Sequence, residues 1–218
     1  MAGLRLGWPL SRRGWGLPVA LLVFATTCTH HPAAVRPTPT LSTFLGQLEA
    51  LAKNAPNAPS VEPRGSCPIS LGHELNTHAF GGYALGTGPA YPIMVADQNA
   101  SGTFVTGIDQ THNPGWGQLK TLWALSPKVS PPFLVRVIRL DGTGGIGVSG
   151  GDPVSTTFTS TGDYSLSTAE IFNRSNNIDP VDHWPSYPSA VFIRQPGCYA
   201  FQVDGRGFTY QLVFAARP

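Results

Sequence analysis

The most constraining feature of this 218-residue sequence is a pair of alternating runs near its C-terminal end. Tyr199, Phe201 and Val203 alternate with smaller or polar residues, and Phe208, Tyr210, Leu212 and Phe214 repeat the pattern. Because successive side chains of a β-strand point to opposite faces, each run predicts a strand with one apolar face. Residues 204–207 between them read Asp-Gly-Arg-Gly, a tight-turn sequence, which predicts a β-hairpin.

Similar short runs continue upstream and are separated by turn residues. With the hairpin, the predicted strands are 91–97, 103–109, 119–125, 133–140, 154–159, 190–194, 198–203 and 208–215. Several runs are rich in β-branched and aromatic residues, and no long helical pattern interrupts them. The sequence therefore predicts an all-β fold over 66–218, an immunoglobulin-like β-sandwich of about eight strands.

The composition agrees with a loop-rich extracellular β protein. The chain contains 25 glycines and 21 prolines, and 12% of its residues are charged, which is about half the usual share. The formal net charge of +2 includes Arg5, Arg12 and Arg13 in an N-terminal segment that we expect to be removed. The remainder is close to neutral and has no basic run, which argues against a nucleic-acid partner.

Residues 1–28 have the pattern of a signal peptide. Three arginines precede or flank the apolar stretch 14–24, and small residues follow it. This stretch is shorter than the roughly 20 residues that a membrane-spanning helix needs. We therefore expect the chain to be exported.

Cys28 lies where a lipoprotein signal places its lipidated cysteine, although the usual preceding Leu and Gly or Ala are missing. The Pro/Thr-rich stretch 29–43 that follows has the composition of an extended tether. Two alternatives stay open: a lipoprotein anchored to the membrane through Cys28, or a protein that is cleaved nearby and secreted.

A helical stripe follows this tether. Its apolar positions are Leu41, Phe44, Leu45, Leu48 and Leu51. Their spacing predicts an amphipathic helix over 41–53, capped by Ser42 or Thr43, within a linker that extends over 29–65. We expect the helix to pack on the domain rather than on a membrane, because its polar face is not basic.

The cysteines predict one disulfide. If Cys28 is removed or lipidated, Cys67 and Cys198 remain, and an even remainder in an oxidising compartment indicates a bridge. A metal site or a catalytic thiol is the alternative, but the chain has no Cys-x-x-Cys spacing.

The C-terminal region resembles a known group of sequences. Residues 188–193 are followed by Pro196-Gly197-Cys198-Tyr199 and the predicted hairpin, and Trp123 and residues 140–142 also fit. This pattern is similar to that of uncharacterised bacterial secreted proteins and lipoproteins, which more often carry Trp where Tyr199 stands. The resemblance implies an exported β-sandwich with a cysteine bridge and no known activity.

The glycine-rich stretch 142–151 contains two motifs of enzymes. Gly142-x-Gly144-x-x-Gly147 matches a dinucleotide-binding pattern, but no helix is predicted after it, so we expect no cofactor. Gly147-x-Ser149-x-Gly151 matches a hydrolase nucleophile, and Asp163, Asp179 and His183 follow in hydrolase order. That nucleophile needs a strand-turn-helix in an α/β sheet, so we interpret the stretch as a flexible hairpin loop.

His73 and His78 are a near match to a zinc-protease motif. That motif places its histidines four residues apart on one helical face, and here the separation is five. A loop metal site that includes His112 or His183 is an alternative, and solvated histidines are the simpler interpretation.

Aromatic residues give the remaining candidate site. Trp116 and Trp184 lie in predicted loops, and with Tyr91 and Tyr187 they could bind an extracellular glycan, peptide or envelope protein. Trp123 lies in a predicted strand and is expected in the core. We therefore expect a non-catalytic binding domain; the alternatives are a hydrolase that uses Ser149 or a histidine metal site, and a purely structural envelope component.

Overall fold

The computed structural model describes residues 39–63, 65–78, 81–94, 103–105, 108–109, 115–154, 158–161, 164–175 and 177–217. The predicted signal peptide, Cys28 and residues 29–38 of the predicted tether lie outside this part of the chain. Among the described residues, no helix combines the length and the apolar character that crossing a membrane requires.

One helix and sixteen strands are described. In chain order they are α1 Leu41–Ala52, β1 Gly72–Asn76, β2 Gly81–Leu85, β3 Ala90–Met94, β4 Thr103–Val105, β5 Ile108–Asp109, β6 Trp116–Leu125, β7 Phe133–Arg139, β8 Ile146–Ser149, β9 Asp152–Pro153, β10 Phe158–Thr161, β11 Tyr164–Ser167, β12 Ala169–Phe172, β13 Asn177–Ile178, β14 Pro185–Ile193, β15 Gly197–Gly205 and β16 Phe208–Arg217.

The strands form two sheets. Sheet A has the order β1-β2-β3-β6-β14-β8-β11-β10, with β5 beside β6 and β13 beside β14. Sheet B has the order β4-β16-β15-β7-β12-β9. The described pairs are antiparallel except for β4 and β16, which are parallel. The predicted all-β sandwich is confirmed; the immunoglobulin-like arrangement is not.

The core contains aromatic rings from both sheets. Trp123 from sheet A is fully buried, as predicted, and lies 5.2 Å from the Phe201 ring of sheet B between centroids. Phe133 and Phe172 stack at 5.2 Å. Burial of such large rings supplies most of the apolar stabilisation of a core of this kind.

The C-terminal hairpin has the predicted faces. Tyr199 pairs with Phe214 and Phe201 with Leu212, and all four side chains lie in the core. The turn is closed by a pairing of Gly205 with Phe208. Alternation over both strands predicts such a hairpin because one-residue slippage would expose its whole apolar face.

Strand prediction was less accurate where strands are short or contain proline. Of the predicted strand 154–159, Val154 lies outside a strand, β10 begins at Phe158, and residues 155–157 lie outside the described part of the chain. The predicted strand 190–194 is the last part of the longer β14. Pro188 is tolerated there because β8 pairs with β14 only from Ala190 onward, so no neighbour on that side needs its missing N–H.

Helix α1 covers the outer face of sheet B. Its buried residues Phe44, Leu48 and Ala52 pack with Leu134 and other apolar residues of β7 and β12. The helix is confirmed, but its N-cap is Thr40, whose hydroxyl accepts the Thr43 N–H at 3.4 Å. The predicted caps Ser42 and Thr43 are themselves helical residues.

The chain after α1 continues across the same face. The Asn57 N–H donates to Gln202 Oε1 at 2.6 Å, and the Val61 N–H donates to the Leu140 carbonyl at 3.2 Å. The predicted Cys67–Cys198 disulfide is confirmed and fixes the end of this path. We call residues 39–63 and 65–70 the N-terminal cover.

A buried ion pair lies beneath the cover. Arg136 Nη2 donates to Asp204 Oδ2 at 3.0 Å, and both side chains are almost fully buried. Arg136 Nη1 also donates to the carbonyls of Leu51 and Asn54, each at 3.1 Å. Carbonyls at a helix C-terminus lack intrahelical donors, so the guanidinium joins the end of α1 to sheet B.

Candidate functional site

The predicted binding residues do not all lie in the same surroundings. Trp116 is the first residue of β6 rather than a loop residue, and only 7% of it is exposed. Its ring packs with Leu166 and Phe192, and the Arg194 guanidinium lies 5.5 Å from the ring centroid. Trp116 therefore packs within the fold rather than forming part of an exposed binding surface. Trp184 and Tyr187 belong to two separate places, described in turn below.

Trp184 is part of a row of rings on the outer face of sheet A. The Tyr91 ring lies 5.9 Å from Trp184 and 5.4 Å from His73 between centroids. We call His73, Tyr91 and Trp184 the ring row. Trp184 and Tyr91 are partly buried and His73 is exposed, so the rings offer part of their surface to solvent.

The ring row rests on an apolar patch supplied by four strands. The patch consists of the buried residues Leu75, Ala84, Ile93 and Ala124. Strand register places His73 opposite Ala84 and Tyr91 opposite Ala124, which puts these side chains on one face. Gly88, at φ +77°, lies against the Tyr91 ring, and a Cβ there would collide with it. Sequence spacing alone cannot bring His73 to Tyr91, because the contact depends on sheet order.

A tight loop over 179–184 positions Trp184. Asp179 Oδ1 accepts the N–H groups of Val181 at 2.7 Å and Asp182 at 2.9 Å. The Asp182 N–H contributes most to lowering the pKa of Asp179 to about 2, and the Val181 N–H and His78 add to the effect. Bonds to the ionised form favour it, so this carboxylate stays charged.

His78 joins this loop to the end of β1. Its backbone N–H donates to Asp182 Oδ2 at 2.7 Å, and its ring Nδ1 lies 3.4 Å from Asp179 Oδ2. His183 is exposed at φ +59°, a left-handed conformation. Of the described histidines, His73 therefore belongs to the ring row, and His78 contacts the 179–184 loop.

The described histidines do not gather into a metal centre. Within the part of the chain that the structure describes, no group of three or more His, Cys, Asp or Glu side chains could hold a metal ion. His112, which the sequence offered as a further ligand, lies outside that part.

Ser149 is not at a nucleophile elbow. It ends β8 and pairs with Ala190 of β14, and residues 146–149 form a strand rather than the predicted flexible loop. The chain then passes from β8 in sheet A to β9 in sheet B through Gly150 and Gly151. An ideal Cβ on Gly150 would lie 2.5 Å from the Pro188 carbonyl oxygen. This close crossing accounts for Gly150 and Gly151, whereas Gly147 lies within β8, where an ideal Cβ would lie 2.8 Å from Leu166 Cβ. Asp163 lies outside the described residues.

Tyr187 lines a cleft at this crossing. The cleft has a volume of about 390 Å³, and its lining is Gly150, Gly151, Asp152, Ile171, Phe172, Asn173, Arg174 and Tyr187. We call it the crossover cleft. Only 4% of Tyr187 is exposed, and its ring packs at 5.2 Å from Phe133. Burial raises the pKa of Tyr187 to about 12, so the phenol stays protonated.

Glu170 lies directly behind the cleft wall. It is 2% exposed, and its Oε2 accepts the Gly151 N–H at 2.6 Å. Burial raises the pKa of Glu170 to about 7; the Gly151 bond opposes this rise, and the nearby Asp152 carboxylate adds to it. No sequence motif identifies Glu170, whose one local signal is an acid between the apolar residues Ala169 and Ile171.

Comparison of this chain with protein-family models, curated proteins and solved structures finds no match.

Proposed function

We propose that the chain is an exported, non-catalytic binding domain whose recognition surface for an extracellular glycan is the ring row. The observation that carries the proposal is the continuous contact of His73, Tyr91 and Trp184, each with exposed surface, on one face of a sheet. Sugar rings present an apolar C–H face that packs on aromatic rings, while aromatic side chains with polar ends tolerate a wet surface.

The neighbouring residues suit a polymer rather than a single sugar. Register places Gln118 and Lys120, both exposed, on the same outer face further along β6. Because a strand rises about 3.3 Å per residue, these polar side chains extend the surface beyond the rings. A glycan chain could stack on the ring row and form hydrogen bonds with these side chains.

Export is supported by the predicted signal peptide together with the Cys67–Cys198 disulfide, since such bridges persist mainly in oxidising compartments. The location is tested by fractionating cells and measuring the intact mass of the native protein. A diacylglycerol-sized addition on Cys28 in the membrane fraction would make the protein a lipoprotein. A shorter unmodified chain in the medium would make it a secreted domain, and an unprocessed chain in the cytoplasm would refute export.

Glycan binding is tested by retention on chitin, cellulose and purified peptidoglycan. We expect the native protein to be retained on at least one and Trp184→Ala to bind about tenfold more weakly, the equivalent of about 1.4 kcal/mol. Tyr83→Ala is the matched control, because Tyr83 is 38% exposed on the neighbouring β2 but does not contact the ring row. Equal retention of Trp184→Ala and the native protein would refute the surface, and no retention on any glycan would favour a structural component.

The hydrolase alternative is not proposed. Ser149 lies within paired strand residues, and Asp179 is bonded to two backbone N–H groups and His78 rather than placed beside Ser149. Unchanged hydrolysis of generic esters by Ser149→Ala would agree with this interpretation. Loss of a measurable native activity in that variant would contradict it.

A further inference from the structure

Strand β1 lies at one end of sheet A, and no described strand pairs with its outer side. An edge strand carries a row of backbone N–H and C=O groups that can pair with another chain, and proteins often block such edges with proline, lysine or a covering loop. Residues 72–76 read Gly-His-Glu-Leu-Asn and contain neither proline nor lysine. The edge therefore keeps the groups that addition of a further strand requires.

The register of β1 on β2 identifies the backbone groups that point away from the sheet. The Gly86 N–H donates to the Leu71 carbonyl at 2.9 Å, one position before the Gly72–Leu85 pair. Hydrogen-bonded and non-hydrogen-bonded pairs alternate along an antiparallel ladder. Every second residue from 71 to 75 therefore bonds to β2, whereas Gly72 and Glu74 direct their N–H and C=O groups to the free side.

Two contacts close the ends of this free edge. The Ser70 N–H donates to the Val213 carbonyl of β16 at 2.9 Å. At the other end, the His78 N–H donates to Asp182 Oδ2 at 2.7 Å. Both donors are an even number of positions from Gly72, which agrees with the assignment of the outward groups. An added strand is therefore confined to the stretch between Ser70 and His78, which has room for about six residues.

The side chains of β1 present different chemistry on the two faces of the sheet. On the outer face, Leu71 is 88% exposed and lies two positions before His73 of the ring row. On the other face, Glu74 is exposed and lies opposite Tyr83, which is 38% exposed. An added strand would therefore meet apolar surface on one side and a carboxylate on the other.

The charge of Glu74 favours a basic partner over a second copy of this chain. A residue directly opposite Glu74 in an added strand would have its Cβ about 5 Å away, where opposite charges attract and like charges repel. Two copies of β1 that pair antiparallel within the free stretch bring Glu74 opposite or diagonal to Glu74 of the other copy. A strand with Lys or Arg at this position avoids that repulsion.

We propose that the free edge of β1 binds an extended peptide segment, which adds to sheet A as an antiparallel strand with a basic side chain opposite Glu74 and apolar side chains beside Leu71 and His73. Main-chain hydrogen bonds to Gly72 and Glu74 supply the affinity, and the alternating side chains supply the selectivity. The site is the edge of the sheet rather than its outer face, so it does not depend on glycan binding by the ring row.

The proposal is tested by calorimetry on the full chain with the acetylated and amidated peptide Thr-Val-Lys-Val-Thr-Val. In antiparallel register this probe places Lys opposite Glu74 and one Val beside each of Leu71, His73 and Leu75. We expect the Lys peptide to bind. The same peptide with Glu in place of Lys should bind about threefold to tenfold more weakly, because a repulsion replaces an exposed ion pair.

Methylation of single peptide nitrogens distinguishes strand addition from other modes of binding. The N–H of the peptide Lys faces β1 in the proposed register, so its methylation should weaken binding at least about tenfold. The N–H of the following Val faces solvent, so methylation of that nitrogen should change binding by less than about threefold. Equal losses for the two methylated peptides would overturn the strand geometry.

Variants of the chain locate the site. Gly72→Pro removes an outward N–H, which an edge strand tolerates, and should weaken peptide binding at least about tenfold. Glu74→Lys should reverse the preference between the Lys and Glu peptides, whereas Glu49→Lys at an exposed position of α1 should leave it unchanged. Trp184→Ala should bind the peptide normally, and Gly72→Pro should keep the glycan retention of the native protein, which separates the two surfaces.

Failure of the Lys peptide to bind at millimolar concentration would overturn the proposal. Native-like binding by Gly72→Pro would place the peptide elsewhere, and an unchanged preference in Glu74→Lys would overturn the basic class. A native dimer that Gly72→Pro converts to a monomer in sedimentation would show that a second copy occupies the edge instead. The loss in Gly72→Pro counts only if its melting temperature stays within a few degrees of the native value; otherwise Glu74→Lys decides.

Discussion

The outer faces of the two sheets differ in how they meet the rest of the chain. The outer face of sheet B is covered by helix α1 and the following segment, which bury apolar residues, an ion pair and a disulfide. The outer face of sheet A presents the ring row and the exposed side chains Gln118 and Lys120. The cover therefore stabilises one face, and the other face keeps the exposed side chains that the proposed glycan surface requires.

Three kinds of interaction fix the cover on sheet B. Leu48 and its neighbours bury apolar surface against sheet B, and Arg136 joins the C-terminal end of α1 to Asp204. The disulfide links the end of the cover covalently to β15. On sheet A the described ties are local, and the main one joins His78 to the 179–184 loop. The comparison predicts large losses of stability on sheet B and small, local effects on sheet A.

The largest expected effect is removal of the disulfide. The double variant Cys67→Ala/Cys198→Ala opens a loop of 131 residues, and the chain-entropy relation predicts a loss of about 4–5 kcal/mol in unfolding free energy. Urea unfolding measures it, and reductant should destabilise the native protein by a similar amount. A loss below about 1 kcal/mol would mean that the cover is held without the covalent link.

Breaking the buried ion pair should have the next largest effect. Arg136→Met leaves Asp204 buried without its cation and should cost about 3–4 kcal/mol. Arg139→Met is the control on the same strand, because its ion pair with Asp141 is closer to solvent and should contribute much less. Similar losses for both variants in urea unfolding would contradict the special role of the cover.

Glu170 is a second buried acid, but unlike Asp204 it forms no ion pair with a described cation. Register places it on the inner face of sheet B, one position from the Ala169–Arg136 pair. Its folded pKa of about 7 lies above the ordinary 4.5, so the unfolded chain loses its proton first as pH rises. The free energy of unfolding should therefore fall by about 3 kcal/mol as the pH rises from 4.5 to about 7, and it should stay low at higher pH.

The variant Glu170→Gln should remove this dependence and be more stable than the native protein at about pH 8 by about 2 kcal/mol. Gln can still accept the Gly151 N–H. Urea unfolding across this pH range measures the difference, with exposed Glu74→Gln as the control. Parallel pH profiles for the native protein and Glu170→Gln would show that this carboxyl titrates normally.

The apolar contact of the helix should contribute somewhat less. Leu48→Ala should lower the free energy of unfolding by about 2 kcal/mol, the low end for a buried leucine. The cost is low because the helix lies at the surface and can shift to fill part of the cavity. Leu41→Ala in the same helix is the control, since Leu41 is 53% exposed. Equal costs in urea unfolding would indicate that the helix contributes no specific packing.

The sequence predicts those elements whose pattern is visible within one short stretch of the chain. The β15–β16 hairpin, α1 and the core position of Trp123 were predictable because alternation, helical spacing and strand context report burial directly. Strands β8, β9 and β12 are two to four residues long, too short for a period to emerge. Residues 147–151 match a hydrolase motif, but Gly150 and Gly151 lie at the crossing between the sheets, and that crossing depends on topology that a local motif does not encode.

The candidate site was predictable only in part, for the same reason. Trp184, Tyr91 and Tyr187 were predicted as one aromatic group, but only Trp184 and Tyr91 lie together, and Tyr187 packs on Phe133 in the core. His73 reaches Tyr91 through the β1-β2-β3 order, and Arg174 and Asp152 line one cleft because β9 pairs with β12. Such groupings need the strand order, which short runs do not specify.

The smallest expected effect concerns the loop that holds the ring row. The pKa of Asp179 is about 2, below its ordinary 3.8, so its stabilisation of the loop is complete above the ordinary value and is lost as pH falls through the folded value. Asp179→Asn should remove the charge at neutral pH and speed amide hydrogen exchange at Val181 and Asp182, with little change at the cover. Arg136→Met should do the reverse, which would separate the two faces in one experiment. If Asp179→Asn instead loosened the cover, the faces would be coupled through the core, and the division between a stabilising face and a binding face would have to be abandoned.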